Sequence, residues 1–93
     1  MPYYALIYEL VDDYMERRAA FRAEHLKLAA DSHARGELLM GGAFAEPADK
    51  ALLIFCAEDR SVPETFVRED PYALNGLVKS WKVRPWTVVI GNK

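Results

Sequence analysis

Apolar side chains crowd residues 3–11 (YYALIYELV), a run rich in aromatic and branched types. Its alternation predicts a β-strand, with Tyr4, Leu6, Tyr8 and Leu10 on one face and Tyr3, Ala5, Ile7 and Val11 on the other. The period then lengthens. Asp13 to Glu16 has the spacing of a capping box with Asp13 as N-cap, and the helix it opens runs to about Arg35, where Gly36 stops it. His33 and Arg35 in the last turn suit the helix dipole. Residues 37–44 (ELLMGGAF) read as a second strand, in which Gly41-Gly42 marks a bulge or a close backbone approach. Pro47-Ala48-Asp49 is a turn. Residues 50–56 form a third strand, apolar on both faces and so central. Ser61 to Glu64 is a second capping box, with Pro63 in the first turn of a short helix reaching about Glu69. Asp70-Pro71-Tyr72 restarts a helical turn that ends near Gly76. Residues 77–90 contain the last strand, and Pro85 marks an interruption or an edge position.

The order strand–helix–strand–strand–helix–strand is that of a ferredoxin-like α+β fold, βαββαβ, with a four-stranded antiparallel sheet and two helices on one face. Two helices cover only one face. In the first and third strands the opposite face is apolar as well: Leu52 and Ile54 oppose Ala51, Leu53 and Phe55. That second face must be covered or it becomes a large exposed patch. The simplest cover is the same sheet of a second copy, so a homodimer joined sheet to sheet about a two-fold axis is expected.

The first helix carries charge on the side that should be buried. At about 100° per residue, Tyr14, Phe21, Leu28 and Ser32 share one stripe within about 40°. Arg18 and His25 fall on the same stripe and Arg22 sits at its edge, whereas Glu16, Ala20, Ala23 and Lys27 point away. Burying a charge without a partner costs several kcal/mol. Arg18 and His25 therefore require a partner, a pocket or a ligand.

Bulk properties narrow the remaining choices. A chain of 93 residues is one domain, spanning 1–93. At that size only about 60–65% of the unfolded surface is buried, yet 52% of the residues are hydrophobic and 12% aromatic, which again suits a second subunit. The net charge is −2 and no basic stripe is present, so no nucleic-acid partner is expected. No run approaches ~18 apolar residues, so no membrane partner is expected either. The N-terminus reads as a strand rather than a signal peptide. Cys56 is the single cysteine and lies in an apolar run, which predicts a buried free thiol and a cytoplasmic address.

Each candidate for chemistry has an ordinary reading beside the sharper one. A lone inward His25 is most simply a core histidine tied to a carbonyl or carboxylate. Arg18, two helical turns earlier on the same face, makes that reading harder. Imidazole titrates near neutral pH and is the natural general acid or base, while a neighbouring Arg holds an anionic substrate or an enolate-like intermediate. Otherwise Arg18 and Arg22 pair with Glu9, Glu69 or Asp70, and for Arg22 this is the better reading. Asp70 precedes Pro71 and is either the N-cap of the next turn or the carboxylate that orients His25; Glu69 is a weaker candidate for that role. Tyr72, beside Asp70, either packs in the core or lines a pocket and donates a hydrogen bond. His25 and His33 lack metal-pair spacing and there is no Cys/His cluster, so no metal is expected. With no Gly-rich phosphate loop and no elbow around Ser61 or Ser80, no organic cofactor and no serine nucleophile are expected.

These residues carry a family resemblance. Glu16-Arg17-Arg18, then Arg22, then His25-Leu26 resembles the signature of the YCII-related (YciI-like) family, as do Gly36 to Gly42 (GELLMGG), Asp70-Pro71-Tyr72 and Val83-Arg84-Pro85-Trp86. The order and spacing of these motifs carry the likeness, which covers nearly the whole chain. It implies a ferredoxin-like dimeric α+β barrel and an active site on a His–Asp pair, here His25 and Asp70. Activities in the family include dehydrochlorination of chlorinated hydroxyquinones, which is consistent with acid–base elimination; the leading expectation is therefore an acid–base enzyme using His25 and Asp70, and the residue reading above adds Arg18, Arg22 and Tyr72 as substrate-binding residues. A non-catalytic domain that binds a metabolite in the same pocket is the rival, and a purely structural His–Asp pair is a third reading.

Overall fold

The computed structural model describes residues 1–91. Strand β1 (Tyr3–Leu10) leads into helix α1 (Tyr14–Arg17), a 3₁₀ turn (Arg18–Ala20) and helix α2 (Arg22–Ala34). Strands β2 (Leu38–Ala43) and β3 (Lys50–Cys56) follow, then helices α3 (Ser61–Glu69) and α4 (Pro71–Leu74) and strand β4 (Val78–Trp86). The four strands form one antiparallel sheet in the order β2-β3-β1-β4, the ferredoxin-like arrangement. β3 is central as expected, and β4 is an edge strand, which is where Pro85 is tolerated within a ladder.

Register sorts the two faces. Leu6, Tyr8 and Leu10 of β1, with Leu53 and Phe55 of β3, lie toward the helices and join Tyr14, Phe66, Val67 and Tyr72 in one core. Each such buried large apolar side chain contributes about 1.5–3 kcal/mol. The opposite face presents Tyr3, Ile7, Leu52 and Met40, with Lys82, Arg84 and Trp86 from β4. No helix among the described residues is long and apolar enough to cross a membrane.

Both long helical segments end on glycine. Gly36 adopts φ +82°; its N–H donates to the His33 carbonyl at 2.9 Å, and Glu37 N–H donates to Ser32 at 3.1 Å. Gly76 repeats the arrangement, with Leu77 N–H donating to the Tyr72 carbonyl at 2.9 Å. These paired bonds satisfy carbonyls a helix end would otherwise orphan, and the left-handed backbone they need suits glycine.

The helix starts depart from expectation. Asp13 caps nothing with its side chain; at φ −99°, ψ 25° it is outside the extended region a capping side chain uses. Its carboxylate lies 3.7 Å from Arg17 instead. Ser61 is likewise not a cap: Asp59 accepts the Ser61 N–H at 2.8 Å. The first helix is not continuous either. It breaks at Arg18–Ala20, between Tyr14 and Phe21, both of which pack on the core. Arg and Ala are good helix formers, so tertiary packing rather than local propensity sets the break.

Candidate active site

The inward stripe survives the break. Tyr14 and Ser32 are buried, Phe21, Leu28, Arg18 and His25 are partly buried, and Arg22 is exposed at the edge. The stripe faces a cleft of about 400 Å³ between α2 and strands β2 and β3. Gly41, Ala51 and Leu53 line its sheet side; His25, Leu26 and Ala29 line its helix side; Tyr14, Arg18, Arg22 and Tyr72 also border it. Gly41 keeps the sheet side open, because a Cβ there would come within 3.2 Å of Leu53 Cγ.

Asp70 is the centre of the arrangement. It ends α3, caps α4 and is 0% exposed. Oδ1 accepts the Tyr72 N–H at 3.0 Å, the N-cap bond. The same oxygen lies 2.8 Å from His25 Nδ1. Oδ2 accepts the Tyr8 hydroxyl at 2.6 Å. The two readings of Asp70, helix cap and partner of His25, are therefore both true: a carboxylate has enough lone pairs for three donors. That acceptor places the His25 proton on Nδ1 and leaves Nε2 as the ring nitrogen able to meet a ligand. Glu69, the weaker candidate, is exposed and lines a separate groove between α2 and α3.

Stacking fixes the ring as well. The His25 and Tyr72 rings lie 3.9 Å apart and 9° from parallel. Tyr14 meets Tyr72 edge-on at 5.7 Å, and Phe66 meets His25 edge-on at 6.5 Å. The imidazole is thus held by one hydrogen bond and two aromatic neighbours.

The expected ion pairs of Arg18 and Arg22 do not form. Glu9 pairs with Lys50 at 3.2 Å, and Asp70 is occupied by His25 and Tyr8. Among the described residues no carboxylate lies within salt-bridge distance of either arginine. Arg18 instead packs over the Tyr14 ring, 5.6 Å from its centroid. Tyr72 is 2% exposed, so its core reading holds, yet it also borders the cleft. Among the described residues no group lies within 3.5 Å in hydrogen-bonding geometry of its hydroxyl, and the Arg22 guanidinium faces it as a donor. Burial pushes the Tyr72 phenol above its usual range, the Tyr14 hydroxyl adding to this and Arg22 and Arg18 opposing it.

Tyr8 is the member that sequence reasoning missed. It reads as one more core position of β1, but a buried phenol needs a partner for its hydroxyl, and that requirement was the available signal. Burial above all, then the charge of Asp70 and the hydrogen bond to it, pushes the Tyr8 phenol far above its usual value, so it remains a neutral donor. Among the described residues no three His, Cys, Asp or Glu side chains are grouped to hold a metal ion. Cys56 is a half-buried free thiol, on the face of β3 away from the cleft.

A ferredoxin-like sheet with a buried carboxylate fixing an imidazole at a cleft defines a class of small α+β domains. Residues 1–87 match the YCII-related domain, and the chain belongs to that family. Solved structures that share the fold include the following two. One is 5-chloro-2-hydroxyhydroquinone dehydrochlorinase (TftG) from Burkholderia phenoliruptrix, in complex with 2,5-dihydroxybenzoquinone; it is 20% identical, with a TM-score of 0.77, over 91% of this chain and 93% of that one. The other is protein Atu4242 from Agrobacterium tumefaciens, 14% identical with a TM-score of 0.62, over 97% of this chain and 95% of that one. No curated protein sequence matches the chain.

Proposed function

We propose that the protein is a small-molecule enzyme in which His25 and Asp70 perform general acid–base chemistry on a cyclic or aromatic substrate, by elimination of the dehydrochlorination type. One observation carries this reading. Asp70, wholly buried, holds His25 Nδ1 at 2.8 Å while the imidazole forms part of the cleft wall. A core histidine needs no cleft, and a surface histidine needs no buried carboxylate. Nε2 takes the proton of a ring hydroxyl, the O–H pair forms a C=O bond, and the displaced ring π pair forms a new C=C bond as chloride leaves a saturated carbon of the keto-form ring with the C–Cl pair. Arg18, Arg22 and Tyr72 bind the substrate and stabilise the oxygen on which charge collects. Acid–base assistance of this kind is worth about 10²–10⁴-fold.

The reading includes a homodimer joined through the open sheet face and a cytoplasmic address. The face away from the helices supports the dimer: Met40 is 69% and Trp86 48% exposed on it, with Ile7 and Leu52 between them.

The test is chloride release from a panel of chlorinated hydroxyquinones and hydroquinones by the wild-type protein and His25→Ala. Release that falls by about 10²-fold or more in the variant is expected. Binding of these rings without release by the wild type would make the protein a ligand-binding domain instead.

A further inference from the structure

The cleft is larger than the chemistry at His25 needs. An apolar cavity of about 150 Å³ is enough to take up one benzene ring, and the cleft measures about 400 Å³. The surplus has a direction. His33 lies on α2 beyond His25 and borders the same cleft. Their spacing in the chain advances about 12 Å along a helix and turns about 80°, so the two imidazoles stand on one side of α2 at successive positions along the cleft. The walls between them are small or apolar: Leu26, Ala29 and Ala30 on α2, with Met40 and Gly41 across from them on β2. Gly41 brings no side chain into the gap.

His33 is held as His25 is, by a different acceptor. Its Nδ1 lies 2.8 Å from the Leu38 carbonyl oxygen. A carbonyl oxygen only accepts, so Nδ1 carries the proton and the neutral ring keeps a lone pair on Nε2. The bond joins the last turn of α2 to the first residue of β2, the elements that form the two sides of the cleft. The far end of an apolar slot is thus furnished with a fixed hydrogen-bond acceptor.

We infer that the cleft takes an elongated ligand in two parts. A ring lies beside His25, and a second apolar moiety lies between α2 and β2 and ends in a hydroxyl or amide N–H that donates to His33 Nε2. The inference rests on the cleft being the substrate site. It adds the length of the substrate and a specificity-determining residue, His33, at its far end.

Four neutral probes test it by titration calorimetry at pH 7: phenol, 4-phenylphenol, 4,4′-biphenol and the monomethyl ether of 4,4′-biphenol. 4-Phenylphenol should bind about tenfold more tightly than phenol, because the second ring leaves water. 4,4′-Biphenol should bind about fivefold more tightly than its ether, which has lost the distal donor. Ala30→Phe, a change at an exposed helix position, fills the His33 half of the cleft. It should reduce the gain from the second ring to within about twofold and leave phenol binding as it was. His33→Leu should keep that gain and abolish the difference between 4,4′-biphenol and its ether. In the unaltered protein the His33 Nε2 resonance should move with 4,4′-biphenol and stay in place with the ether, a readout that needs no substitution to fold. No gain from the second ring, a gain that survives Ala30→Phe, a donor preference that survives His33→Leu, or an Nε2 resonance indifferent to the donor would overturn the inference. Proton transfer at His25 does not enter these measurements. Chloride release from single rings without a gain from the second ring refutes the extended ligand alone, and the gain without chloride release refutes the acid–base reading alone.

Discussion

Tyr8 and Asp70, 62 positions apart in the chain, meet in a buried hydrogen bond of 2.6 Å. The bond ties the middle strand β1 to the junction of α3 and α4, and it stands directly behind the His25–Asp70 contact. Tyr8→Phe removes the hydroxyl and keeps the ring. The loss should be about 1–3 kcal/mol, because the wholly buried Asp70 then loses a donor. Denaturant unfolding reads it; an unchanged midpoint would show that the bond contributes nothing.

The same tyrosine sets a pH dependence. Its pKa in the fold is raised above the usual 10.0. A raised value means the stabilisation is complete below pH 10 and drains away above it, as the unfolded chain ionises while the folded one keeps its proton. Stability should therefore fall by about 1.4 kcal/mol per pH unit from this one group above pH 10. Other groups titrate there too, so the quantity to compare is the wild type minus Tyr8→Phe. A difference that stays flat from pH 9 to about 11.5 would contradict the expectation.

His25 and Asp70 should separate in stability. His25→Leu leaves Asp70 with the Tyr8 hydroxyl and the Tyr72 N–H, so the change should stay within about 1–2 kcal/mol. Asp70→Leu strands all three donors, His25 included, and removes the cap of α4, a loss of about 3–5 kcal/mol. Thermal melts at one fixed protein concentration compare them, since assembly couples to unfolding. Equal losses for the two would mark His25 as a structural tie.

Arg18 gives a further contrast. With no carboxylate partner among the described residues, Arg18→Met should change stability by no more than about 1 kcal/mol, the size of its contact with the Tyr14 ring. A drop of several kcal/mol in a urea titration would mean the charge is structurally needed.

Assembly is tested on the open face. Ile7 pairs with Leu52 and Lys82 across the sheet, away from the helices. The proposed dimer should dissociate in Ile7→Glu, whereas Leu6, 0% exposed on the helix side, should unfold the subunit if changed the same way. Light scattering at micromolar concentration gives the mass; a wild-type monomer would remove the dimer from the proposal.

Much of the fold was written in local patterns. The alternation of β1, the apolar run of β3 and the two helix-ending glycines, Gly36 and Gly76, placed these strands and helix ends to within a residue or two. The stripe holding Arg18 and His25 pointed to the cleft because two such polar side chains cannot be buried without partners. What the sequence did not carry was long-range. Tyr8 finds its partner 62 residues away, which no local period encodes. The break at Arg18–Ala20 occurs in residues that favour helix, so only packing could reveal it. Asp13 and Ser61 had the right spacing for caps, but capping depends on backbone angles that spacing does not fix. Asp70 looked like a choice between two roles because a sequence names a residue and not its separate oxygens.

One oxygen of Asp70 serves both the Tyr72 amide and the His25 ring. Any change in electron demand at the imidazole, whether from a proton arriving or a ligand docking, must redistribute through that shared atom. The Tyr72 backbone amide is thus a reporter wired into the centre of the molecule. Its nitrogen and proton resonances should move when the cleft fills, so events at the imidazole can be followed in the intact protein without a label or a known substrate.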